Sequence, residues 1–135
     1  MQTAPNALDG ICTHLEFLGY NIARRENGAR ANSEQGPPRI VSIAEKPSGF
    51  LFTSSYTPAD GAKNNRPGYL EWINLMNRKS ALITAFVEED GILTFAGYFP
   101  KMYDKQLFGA FFQSFCNDIK NSLYGPEAKT EEFLA

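Results

Sequence analysis

Along this chain, apolar residues recur at three- and four-residue steps in three stretches and at two-residue steps in the stretches between them. These are the signatures of amphipathic helices and half-buried strands. From Ala4 to Leu18 the stripe is Leu8, Ile11, Cys12, Leu15 and Leu18, with Asn6 placed to cap the helix and Gly19 to stop it. Its apolar face is narrow, which suits a helix lying on a sheet. Tyr20 to Arg25 alternates as a short edge strand, and Asn27 to Pro38 is polar, rich in turn formers and reads as a loop. Arg39 to Glu45 and Phe50 to Thr57 read as strands joined by a Lys46-Pro47-Ser48-Gly49 turn, with Phe50, Phe52, Ser54 and Tyr56 on the buried face.

After a second loop, Thr57 to Arg66, Pro67 suits the start of a helix. The residues Tyr69, Leu70, Trp72, Ile73, Leu75 and Met76 make that helix apolar around much of its girth, as far as Asn77 to Lys79. Ser80 to Glu88 and Ile92 to Phe99 flank Asp90-Gly91, a tight hairpin in which Gly91 supplies a positive φ. A last helix, Asp104 to Tyr124, carries Phe108, Phe111, Phe112, Phe115 and Ile119, and Gly125-Pro126 ends it. The predicted order is helix-βββ-helix-ββ-helix, an α+β fold with a five-stranded antiparallel sheet packed with helices. Residues 1–125 form one domain in this reading, and 126–135 form an acidic, flexible tail with a hydrophobic end.

Composition narrows the class. With 43% hydrophobic residues in 135, the chain builds a core without staples. No apolar run is long enough for a membrane helix, and Met1 to Pro5 does not open a signal peptide, so a cytoplasmic protein is expected. Thirteen basic against fifteen acidic residues give a net charge of -2. The single basic cluster, Arg24, Arg25, Arg30 and Arg39, is diluted by Glu26 and Glu34, so a nucleic-acid partner is not expected. Cys12 and Cys116 are too few for a disulfide framework or a zinc site, and both fall on apolar helical faces as free, buried thiols.

The sequence contains none of the dinucleotide, phosphate-loop, zinc-protease, CxxC or nucleophile-elbow motifs. The one histidine, His14, sits on the rim of the first helix without a convergent carboxylate to orient it, which argues against a base. Glu88, Glu89 and Asp90 are consecutive on a hairpin tip, where their carboxylates diverge instead of enclosing a cation. No catalytic residue, cofactor or metal is therefore assigned. The over-wide apolar helix is the remaining clue. Tyr69, Trp72 and Met76 share one stripe, and with Leu70 and Ile73 turned to the sheet, that stripe is a candidate protein interface.

The element order resembles the type III secretion chaperone-like fold. Local features resemble the YbjN-type family of bacterial sensory transduction regulators, which shares that fold. The matching pieces are Leu15-Glu16-Phe17-Leu18-Gly19-Tyr20, then Ile73-Asn74-Leu75-Met76-Asn77, then Ala85-Phe86-Val87-Glu88-Glu89-Asp90-Gly91-Ile92-Leu93, followed by the long closing helix. The resemblance spans about Leu8 to Tyr124. It implies a small bacterial cytosolic protein that binds other proteins, lacks a cofactor and carries no catalytic residue. In secretion-chaperone-like proteins the second helix and the strand after it commonly pair two subunits, so a homodimer through Tyr69, Trp72 and Met76 is expected. The expected function is a non-enzymatic, protein-binding module, chaperone-like or regulatory, for another protein or peptide. The alternative is a small-molecule-binding domain or an unrecognised enzyme with a pocket between sheet and helices.

Overall fold

The computed structural model describes Gln2, Thr3 and residues 7–135. The cap expected at Asn6 lies outside the described residues. A two-residue strand β1 (Gln2–Thr3) precedes helix α1 (Ala7–Phe17). Gly19, with φ 103°, turns the chain at the end of α1 and leads it into strand β2 (Asn21–Arg25). Strands β3 (Gly28–Asn32), β4 (Ile40–Lys46) and β5 (Gly49–Tyr56) follow. Next come helices α2 (Asp60–Asn64) and α3 (Arg66–Lys79), strands β6 (Thr84–Val87), β7 (Leu93–Pro100) and β8 (Met102–Tyr103), and helices α4 (Lys105–Tyr124) and α5 (Thr130–Phe133).

Six strands form one antiparallel sheet in the order β2-β3-β4-β5-β7-β6. The expected sheet had five strands, because β3 lies in the stretch read as a loop. Its sequence, Gly-Ala-Arg-Ala-Asn, has weak strand propensity, and pairing on both sides overrides that. A two-residue Glu26-Asn27 turn closes the β2–β3 hairpin, and Ala29 and Ala31 are buried under α1. The second expected loop likewise contains α2. β2 is an edge strand, as its alternation implied.

All the helices that pack on the sheet share one face. There α4 lays Phe108, Phe111 and Phe115 over Phe52, with ring centroids 5.7, 5.1 and 6.2 Å apart. Asp104 caps α4 by accepting from the Gln106 and Leu107 N–H groups, both at 3.0 Å. At the other outer strand, β6, the Asn77 side chain accepts from the Ala85 N–H at 2.8 Å and donates to the Ala85 carbonyl at 2.9 Å. The β6–β7 turn is wider than a two-residue hairpin. Gly91 has φ 88°, as expected, its N–H bonds the Glu88 carbonyl, and Val87 pairs with Leu93 across it. No helix of the described residues is long and apolar enough to cross a membrane.

Candidate functional site

The stripe expected as an interface is buried within the chain. Tyr69, Trp72 and Met76 are 1%, 3% and 3% exposed, while Leu70, expected to face the sheet, is 42% exposed. Ile73 is buried at 6%, as expected, so the helix buries the stripe expected to be free together with Ile73 and turns only Leu70 of these residues outward. The cause is the closing segment, residues 126–135, which folds back over α3 instead of forming a free tail. Its Phe133 is fully buried, its ring 5.7 Å from Trp72 in a stacked arrangement and 5.4 Å from Tyr69. A dimer through these three side chains is unavailable while that segment is in place.

Local chemistry explains why α3 holds still. Asn65 caps it by accepting from the Gly68 N–H, and Pro67 lies in the first turn, where its missing donor costs nothing. The Tyr69 hydroxyl donates to the Gly91 carbonyl at 2.9 Å, tying α3 to the β6–β7 turn. Burial pushes the Tyr69 phenol up, against a smaller opposing pull from the Arg66 guanidinium. Ser80 bonds the Met76 carbonyl through both N–H and hydroxyl, closing the helix.

The closing segment binds mainly through backbone. Ala59 donates to the Phe133 carbonyl at 2.8 Å, Ala135 donates to the Thr57 carbonyl at 2.9 Å, and Pro58 and Leu134 form an antiparallel bridge. Thr130 donates to the Leu123 carbonyl, and Lys79 pairs with Glu127 at the surface. Gly61 makes the close approach possible, since a Cβ there would sit 2.1 Å from the Glu132 carbonyl oxygen. The arrangement is that of a short peptide in a groove, with main-chain pairing on one side and an aromatic anchor in a pocket.

Beside it lies a cleft of about 380 Å³ between α3, α4 and the Pro126–Ala128 turn, floored by Trp72, Leu75 and Met76. Asp118, on its wall, is 8% exposed and accepts from the N–H groups of Ala81, Leu82 and Ile83 at 3.2, 2.8 and 3.1 Å. Sequence reasoning missed both Phe133 and Asp118. For Phe133 the signal was the Phe-Leu pair ending an acidic run. Asp118 is a lone carboxylate on an apolar face of α4, whose three partners lie more than thirty residues away.

The remaining candidates are separated. The His14 Nδ1 is 2.8 Å from the Tyr103 hydroxyl and its ring stands edge-on to Phe108 at 5.0 Å, half-buried on the helix rim. Cys12 is buried, but Cys116, expected to be buried as well, is only partly so. Burial pushes both thiols up, Cys116 to about 12. Of the basic cluster, Arg24 is drawn to Asp9 at 2.7 Å, whereas the registers place Arg25 and Arg30 on the opposite face of the sheet. The cluster therefore does not form one patch.

No family model matches this chain, and no curated protein does. Among solved structures it is similar to YbjN from E. coli, described as "a putative transcription regulator", over 100% of this chain and 99% of that one. The TM-score is 0.72 at 17% sequence identity. The chain has the YbjN fold. At that identity the likeness establishes architecture, and it agrees with the α+β order of elements read from the sequence. In the YbjN fold as this chain builds it, the sheet has six strands, and the groove on α3 is filled by the closing segment.

Proposed function

We propose that this chain is a non-enzymatic, protein-binding module of a regulatory kind. Its docking groove is the α3 face carrying Tyr69 and Trp72. The supporting observation is Phe133, held between those two rings by a segment whose remaining bonds are mostly to backbone. A groove that accepts Phe-Leu after an acidic turn in this way suits a partner segment of the same chemistry. Such a partner competes with the chain's own closing residues, so binding depends on releasing them. The likeness to YbjN supports a regulatory role, and the family resemblance of the sequence points the same way.

The test uses the 135-residue chain with Phe133→Asp, which empties the pocket, and a labelled peptide of residues 127–135 added in trans. Saturable binding to the variant, lost when the peptide phenylalanine is replaced by alanine, is the expected result. Absence of binding at millimolar peptide overturns the reading. A second reading, a small-molecule site, is favoured by the 380 Å³ cleft, whose volume falls within the range of ordinary ligand pockets.

A further inference from the structure

Among the described residues no helix covers the other face of the sheet, where Thr94 is buried by its neighbours on the face and most of the larger side chains are exposed. Along β5 the registers assign Leu51, Thr53 and Ser55 to this face, along β7 Thr94, Ala96 and Tyr98, along β6 Thr84 and Phe86, and along β4 Ile40, Ser42 and Ala44. Strands β5, β6 and β7 contain no charged residue at all. Ile40, Phe86 and Tyr98 are 40%, 41% and 48% exposed. The β2–β4 part of the face carries Arg25, Arg30 and Lys46, whereas the β5, β7 and β6 part is uncharged, which is unusual on a surface left to water.

The face is also divided by size. Where β5 carries Leu51, its neighbour β4 carries Ala44, and Thr53 is paired with Ser42. Two residues further along, the sizes reverse, with Ile40 on β4 and Ser55 on β5. One strand outward, Tyr98 beyond Leu51 is balanced by Gly28 beyond Ala44. A two-fold axis parallel to the strands, over the β4–β5 junction, sets β4 of one copy on β5 of the other. It lays Leu51 on Ala44, Tyr98 on Gly28 and Ile40 on Ser55, large on small throughout. It also carries Arg30 over the small, uncharged Ala96 of the partner and keeps it away from the partner's Arg30.

We propose that this chain forms a homodimer by stacking the open faces of two sheets as an aligned sandwich. Six strands about 4.8 Å apart, with about six residues each at 3.3 Å, cover about 550 Å² per copy. Both copies together bury about 1,100 Å², which clears the roughly 1,000 Å² that a specific interface needs. The occupant is a second copy because the face complements itself across that axis. This surface is opposite the helix layer, so the proposal is independent of the α3 groove.

Sedimentation equilibrium of the 135-residue chain is expected to give twice the 15.0 kDa mass of one copy. Thr53→Arg, which places a charge beside the axis, is expected to halve that mass with an unchanged far-ultraviolet circular dichroism spectrum. If Thr53→Arg fails to fold, Ser42→Lys tests the same face from the other side of the axis. Phe133→Ala, at the α3 groove, is expected to stay dimeric. A wild-type chain at 15.0 kDa overturns the proposal. So does a folded Thr53→Arg or Ser42→Lys variant that remains a dimer, or a Phe133→Ala variant that dissociates.

Discussion

His14 shows how one side chain on the rim of the core becomes sensitive to pH. Burial holds its imidazole below the ordinary histidine value, and the nearby Lys105 ammonium acts in the same direction. As pH falls, the unfolded chain takes up the proton first, near pH 6.5, while the folded chain resists it. The stability tied to neutral His14 is therefore complete above about pH 6.5 and is lost as the pH drops through the folded value. Melting temperature is expected to fall between pH 7 and pH 5, and His14→Gln to flatten part of that fall. Equal slopes for the two proteins would show that His14 does not couple to folding. The sequence placed this residue on the rim, but its partners Tyr103 and Phe108 come from the far end of the chain, and no local pattern names them.

At the scale of elements, α3 is the telling case. Its existence and length were legible in its periodicity, and so were the positive φ of Gly91 and the stops of α1 and α4 near Gly19 and Gly125. The direction in which α3 faces was not. That depends on α5, four residues whose single buried side chain is too little to create a period. β3 escaped for a related reason: alanine and glycine say nothing locally, and only pairing with β2 and β4 makes them strand. Because Trp72 is core, Trp72→Glu buries an unpaired charge and removes a stacked ring. The cost, at least about 5 kcal/mol, is comparable to the whole stability of a domain this size. Loss of the circular dichroism signal at 25 °C is expected. A folded Trp72→Glu monomer would instead return α3 to the role of dimer surface.

For the whole molecule, two layers follow from element order and from the short links between strands. Which sheet face stays bare also follows, once the register is known. Chemistry at the level of the molecule was harder to read, since the cleft beside α3 exists only because α4 and the closing turn meet there. Its walls belong to the single core, so a ligand bound in it stabilises the entire fold. A small molecule at a hundred times its dissociation constant would contribute about 2.7 kcal/mol, a rise of several degrees in melting temperature. A thermal-shift screen of metabolites is expected to be flat if the groove serves proteins. A reproducible rise with one chemical class would favour the small-molecule reading.

Asn77 has a consequence for how copies of this chain can grow on one another. Fibre growth by strand addition requires each subunit to offer two receptive rims, one to receive and one to extend. With Asn77 already bonded to both main-chain groups of Ala85, the β6 rim is spent. Among the described residues no side chain occupies the β2 rim in this way. By edge pairing alone such a molecule can couple only once, so the asparagine acts as a chain terminator against growth by strand addition.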